Sequence, residues 1–179
     1  MNNIINLLKE YNITKYRISP DGFIDVDEDV DFSGKNLTEI PFKIRTINGN
    51  FYCNDNQLKT FKNFPTIING NCYCYNNKLS NFKNSPLKCI TGDFFCNNNK
   101  LNSLVGSPTI MGNIDYSYNE LTSIKGIQTT ILEYLFIHNN KIKSLGNYLL
   151  NIKGKIHSYN NKIKKINEFY EDKIINNLF

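Results

Sequence analysis

The 179-residue chain has no alanine and no tryptophan, and only two arginines, two histidines, five prolines and five cysteines. No stretch of about 18 consecutive apolar residues occurs, which argues against a membrane-spanning helix. Met1–Glu10 lacks a basic leading segment and a small-residue cleavage site, so no secretory signal is expected and the expected location is cytoplasmic. Five cysteines is an odd number, which argues against a closed disulfide framework and suits free thiols in a reducing compartment. The sequons at Asn12 and Asn36 then carry no meaning. With 21 Lys+Arg against 16 Asp+Glu, the net +5 is too small a basic excess to indicate nucleic acid by itself.

Catalytic motifs are also missing. There is no phosphate-binding Gly-rich loop, no Gly-x-Ser-x-Gly, no His-Glu-x-x-His and no zinc-type Cys/His spacing, so no enzyme activity, metal or cofactor is expected. His138 and His157 fall on adjacent repeats, but Ser158 occupies an inward slot and makes a poor triad partner. Asp25, Asp27, Glu28, Asp29 and Asp31 do not have the spacing of an EF-hand and read as a solvated strand face.

Asparagine is abundant: the chain has 31, and lysine is strongly preferred over arginine. That bias reads as a codon-level signature of an AT-rich genome, a virus or a low-GC bacterium. At 20.8 kDa with 40% hydrophobic residues, the chain fits one domain with a buried core.

The asparagines recur on a ruler. Gly49, Gly70, Gly92, Gly112, Glu133 and Gly154 are spaced by 21, 22, 20, 21 and 21 residues. Each unit reads Ile-x-Gly-x-Φ-x-Φ-x-x-Asn-x-Leu/Ile-x-x-Φ, where Φ is most often apolar, as in Ile47, Gly49, Phe51, Cys53, Asn56, Leu58 and Phe61. A degenerate copy from Val26 to Ile40 has Lys35 in the Asn slot and reads as a capping unit. Such self-similarity marks a repeat solenoid, in which one turn cannot bury its own face and stacked turns can.

The pattern over Val26–Ile166 resembles the leucine-rich repeat in its short form of about 20 to 22 residues. Its Gly-x-Phe-x-Cys-x-x-Asn-x-Leu dialect, with Pro65, Pro86 and Pro108 between copies, is similar to repeat proteins of phages, large DNA viruses and their hosts. The resemblance implies an α/β-type horseshoe with a parallel concave sheet. The convex side should be extended or 3₁₀, since the prolines stop helices there. One domain, 1–179, is expected. Residues 1–25 form an N-terminal cap with a helix and a β-hairpin, 26–166 hold about seven repeats, and 167–179 form a closing helix bearing Phe169, Tyr170, Ile174, Ile175 and Leu178.

Within a turn, Phe51 and Cys53 should point inward, and Cys53, Cys74 and Cys96 should pack as small hydrophobes in one column, not as a metal set. Asn56, Asn77, Asn99, Asn119, Asn140 and Asn161 lie where the chain leaves the strand, and are predicted to form a structural ladder that satisfies turn backbone. The glycine slot implies either positive φ or a tight approach.

Outward positions are unusually aromatic. One column reads Asp31, Tyr52, Tyr73, Phe95, Asp115, Phe136, His157. The next reads Ser33, Asn54, Tyr75, Asn97, Ser117, His138, Tyr159, with Tyr118 and Tyr134 beside them. Tyr and Phe interleaved with Asn suit a protein-binding surface, although stacked rings also stabilise neighbouring strands. The expected function is non-enzymatic recognition of a partner protein through Tyr52, Tyr73, Tyr75, Phe95, Tyr118, Tyr134, Phe136, His138, His157 and Tyr159. The viral resemblance implies a phage-encoded inhibitor or adaptor acting on a bacterial host protein. Two other readings stay open: single-stranded nucleic-acid binding, with the lysines of 141–165 on phosphate, and a structural or virion role.

Overall fold

The fold is that of a computed structural model, which describes residues 2–127, 133–146, 154–164 and 174–175. In chain order its elements are α1 (Asn2–Glu10), β1 (Tyr16–Ile18), β2 (Ile24–Val26), β3 (Val30–Asp31), β4 (Ile44–Ile47), β5 (Phe51–Tyr52), β6 (Ile67–Ile68) and β7 (Cys72–Tyr73). They continue as β8 (Cys89–Ile90), β9 (Phe94–Phe95), β10 (Thr109–Ile110), β11 (Ile114–Asp115), β12 (Tyr134–Phe136), β13 (Lys155–His157) and β14 (Ile174–Ile175). Helix α1 ends in a Schellman motif: Asn12 takes φ +57°, Ile13 N–H donates to Leu8 O at 2.8 Å and Asn12 N–H to Lys9 O at 3.0 Å.

The chain winds into a β-solenoid of about six turns carrying two sheets. The longer sheet runs β3-β5-β7-β9-β11-β12-β13-β14, parallel throughout; the shorter runs β1-β2-β4-β6-β8-β10, parallel except for the β1–β2 hairpin. The second sheet is a finding beyond the extended back that the sequence predicts. It forms where Pro65, Pro86 and Pro108 precede short β-favouring segments: proline removes a donor and biases its predecessor to extended φ/ψ. The ladder then picks up one turn back, with Thr66 N–H on Arg45 O at 2.9 Å and Thr109 N–H on Lys88 O at 2.9 Å.

Between the sheets the chain turns a corner at the repeat glycine. Gly49, Gly70, Gly92, Gly112 and Gly154 are not among the positive-φ residues, so close approach is what requires them. A Cβ on Gly70 would lie 2.4 Å from Gly49 O, and one on Gly154 would lie 2.0 Å from Glu133 O. Positive φ falls instead on the residue just before each Asn slot: Gly34, Asp55, Asn76, Asn98, Tyr118, Asn139 and Asn160. Glycine and asparagine tolerate this left-handed region best, which supplies a structural use for part of the asparagine excess.

The core is the space between the sheets. Phe51, Cys53, Cys72, Cys74, Phe94, Cys96, Ile114 and Tyr116 are wholly or almost wholly buried, and Phe32, Phe51 and Phe64 meet edge to face at 5.5–5.9 Å. Leu8, Ile4, Leu7 and Tyr11 bring α1 against this core, with Tyr11 edge-on to Phe32 at 4.7 Å. The C-terminal expectation needs correction. Ile174 and Ile175 are not helical: they form a parallel strand on Ile156 and His157, which satisfies backbone groups that the last turn would otherwise leave open at the sheet edge. The other residues of the expected closing helix, with Phe169, Tyr170 and Leu178, lie outside the described residues.

Candidate functional site

The outward face of the longer sheet gathers the aromatic residues. Its strands are in register, Phe51↔Cys72↔Phe94 inward and Tyr52↔Tyr73↔Phe95 outward, so side chains one repeat apart stand directly over one another. Tyr52 stacks on Tyr73 at 4.8 Å between ring centres and 2° between planes; Tyr73 stacks on Phe95 at 5.0 Å and 8°. Further along, Phe136 stacks on His157 at 4.6 Å and His138 on Tyr159 at 4.4 Å. Tyr134 lies on Phe136 at 5.9 Å, and Tyr118 meets His138 edge-on at 5.4 Å. Tyr75 sits between Asn54 and Asn97 in the second column, half-buried and outside these stacks.

Nine of the ten aromatic positions therefore form two blocks, Tyr52, Tyr73 and Phe95 in one and Tyr118, Tyr134, Phe136, His138, His157 and Tyr159 in the other. Between them stands Asp115 in the first column, with Asn97 and the buried Ser117 breaking the second. The break is visible in the sequence as the single Asp inside the aromatic run, a signal that reading the column for aromatics alone passes over. Tyr118 is a second such signal: it is the only tyrosine at a left-handed position that every other described turn fills with Gly, Asp or Asn.

The turns beneath the face are pinned by side-chain hydrogen bonds. Asn99 Oδ1 accepts from Leu79 N at 2.9 Å, while its Nδ2 donates to Cys74 O at 3.0 Å, Asn97 O at 3.2 Å and Cys96 O at 3.3 Å. Asn56, Asn77, Asn119, Asn140 and Asn161 repeat that pattern. A second ladder runs behind the glycine corner: Asn50 N–H donates to Asp29 Oδ1 at 2.7 Å, Asn71 N–H to Asn50 Oδ1 at 2.9 Å, Asp93 N–H to Asn71 Oδ1 at 2.8 Å, and Asn113 N–H to Asp93 Oδ1 at 2.6 Å.

The acidic run supplies two first rungs: Asp29 starts the ladder behind the glycine corner, and Asp27 starts a side-chain ladder through Asn48 to Asn69. A first rung needs only to accept, which a carboxylate does with both oxygens. Asp27 accepts from Asn48 and Arg17, Asp25 from Arg45, and Glu28 from the Thr14 and Lys15 amides. These bonds to the charged forms hold all three carboxyls below the usual range.

Other candidates do not assemble. Burial pushes the Cys53 and Cys74 thiols well above their ordinary value, which keeps them protonated and unreactive. Among the described residues no group of three or more His, Cys, Asp or Glu could hold a metal ion. Burial holds His138 and His157 below the ordinary imidazole value, and His138 Nδ1 has no hydrogen-bond partner among the described residues. Lys141, Lys143, Lys155 and Lys162 are exposed, Lys141 pairing with Glu120 at 2.9 Å; Lys153 and Lys165 lie outside the described residues. Among the described residues no helix is long and apolar enough to cross a membrane.

No protein-family model, curated protein or solved structure matches the chain.

Proposed function

We propose that the chain is a non-enzymatic recognition module of leucine-rich-repeat type, with the horseshoe curvature of that class, which binds a partner protein through the outward aromatic face of its longer sheet. The observation that carries this reading is the pair of ring stacks, Tyr52–Tyr73–Phe95 and Phe136–His157, standing half-exposed in register across successive strands. Stacked rings are already immobilised, so docking onto them costs little further side-chain entropy, and large rigid aromatic area is what interface hot spots are made of. Tyr118 and Tyr134 add exposed apolar area, at 51% and 42%.

Stacking also weighs against the nucleic-acid alternative. A base needs a free ring face, and inside each stack the interior faces, such as both of Tyr73's, are spent on neighbouring rings, which leaves stacking only at the ends. The role that the viral resemblance implies, an inhibitor or adaptor acting on a bacterial host protein, is a narrower form of the same proposal.

The test is affinity capture from a bacterial lysate with the wild type and a folded Tyr73→Ala, Phe95→Ala, Phe136→Ala variant, with the ratio of absorbance at 260 and 280 nm recorded. Retention of one protein by the wild type alone supports the face; retention of nucleic acid by the wild type, lost steeply with salt, replaces this reading with the alternative.

A further inference from the structure

We infer that the break in the ring stack at Asp115 is a slot that receives an arginine side chain of the partner protein; this rests on the reading of the outward face as a protein-binding surface. Asp115 pairs in register with Phe95 on one neighbouring strand and Phe136 on the other. Strand spacing puts the two rings' anchor points about 10 Å apart. Rings stacked within these columns lie 4.6–5.0 Å apart, so one planar group, and no more, fits between Phe95 and Phe136 at the same interval. Aspartate does not fill that space. The walls take their stacking partners from the strands on the far sides of the gap, Phe95 from Tyr73 and Phe136 from His157, and Tyr134 lies on Phe136 at 5.9 Å.

The floor of the slot is charged and oriented. Asp115 Oδ1 accepts the Ser117 amide at 2.8 Å, which fixes the carboxylate, and its second oxygen accepts no hydrogen bond from the described residues. A planar cation answers both features: guanidinium stacks on ring faces and presents paired N–H donors to a carboxylate. An ammonium group is a point charge and leaves the planar gap unfilled. A nucleotide base matches the gap but brings phosphate toward a carboxylate.

Tyr118 points to the same place independently. It holds φ +52°, a conformation that costs a tyrosine more than the Asp, Asn or Gly at the equivalent place in other turns. The strained residue stands at the turn that carries the slot, half-exposed, edge-on to His138. Every described turn has this left-handed position, but only the turn beside the charged gap fills it with a residue for which it is costly.

The experiment is a titration of isotope-labelled protein with N-acetyl-arginine-N-methylamide, following ring resonances of Phe95 and Phe136 and ring-current shifts on the ligand side chain. Saturable shifts on both rings are expected. Asp115→Asn should weaken binding by roughly tenfold, the scale of one charge-assisted hydrogen bond. Asp115→Phe should fold, continue the stack and abolish the shifts, while Lys83→Ala, at an exposed position of the back segments, should leave them unchanged. The lysine analogue should bind more weakly than arginine. No saturable shift with arginine, equal binding by Asp115→Phe, or preference for adenosine monophosphate would overturn the slot. Failure here is separable from failure of the face: if arginine leaves Phe95 and Phe136 unmoved while the triple aromatic variant still loses the captured protein, the slot falls and the binding face stands.

Discussion

Asn99 holds Leu79 across one turn of the solenoid, its Oδ1 accepting the Leu79 amide at 2.9 Å while its own amide group spans three carbonyls. The side chain is buried, so removing it leaves one donor and several acceptors without water. Asn99→Ala should destabilise the chain by about 3 kcal/mol, read as a shift in urea midpoint. Asn99→Asp keeps the acceptor, loses the donor and buries a charge, and should cost at least as much. Tolerance of both would show that the ladder contributes nothing.

The glycines answer two physical demands at two different places in the turn. Gly70→Ala drives a Cβ to 2.4 Å from Gly49 O, a backbone atom that cannot yield without moving a turn, and should cost more than about 3 kcal/mol or prevent folding. Gly34 has φ +63° with open space where a Cβ would stand, so Gly34→Ala should cost only about 1 kcal/mol, the penalty of the left-handed conformation. Comparing the two thermal midpoints checks this; equal losses would contradict the corner.

Tyr118→Asn restores the residue type that most other turns place at this conformation. It should stabilise the fold by about 1 kcal/mol, since asparagine tolerates φ +52° better than tyrosine, and weaken binding at the Asp115 slot. A loss of stability would show that the exposed ring packs better than its backbone suffers.

The pH dependence of stability has two stages, both lost on acidification. His138 and His157 have folded values below the ordinary imidazole one, so as pH falls below about 6.5 the unfolded chain takes up protons that the native state refuses. Both are only partly buried, which keeps this stage small. Asp25, Asp27 and Glu28 are depressed by their hydrogen bonds; their stabilisation is complete above the ordinary carboxylate range and is lost as pH falls below about 4 through the folded values. Urea midpoints measured from pH 8 to pH 3 should be flat, then dip, then drop. A rise between pH 7 and pH 5 would contradict the sign for the histidines.

Most of the architecture was legible because a 21-residue period repeats side-chain direction as well as residue type. Phe51 and Cys53 are read inward, and Tyr52 outward, from alternation alone, and they lie so. The second sheet was not legible: two-residue strands such as β8 and β10 are too short to show a period, and only pairing with the neighbouring turn defines them. Ile174–Ile175 misled for a related reason, since helical spacing of a few apolar residues does not reveal that a sheet edge next door lacks a partner. At the candidate site the aromatic columns could be written down from the sequence. That their rings would close on one another, leaving a single gap at Asp115, needed the register and the ring planes.

The central claim is that recognition lies on the aromatic face of the longer sheet, and it is tested most directly by isothermal titration of the captured partner against two folded variants. One removes Tyr73, Phe95 and Phe136; the other replaces Lys62, Lys83 and Lys88, exposed lysines of the back segments, with alanine. The account predicts a loss of at least about 100-fold for the aromatic variant, given that hot-spot truncations cost about 2 kcal/mol each, and less than about threefold for the lysine variant. Wild-type affinity in the aromatic variant, with the loss in the lysine variant, would place recognition on the opposite side of the solenoid and contradict it.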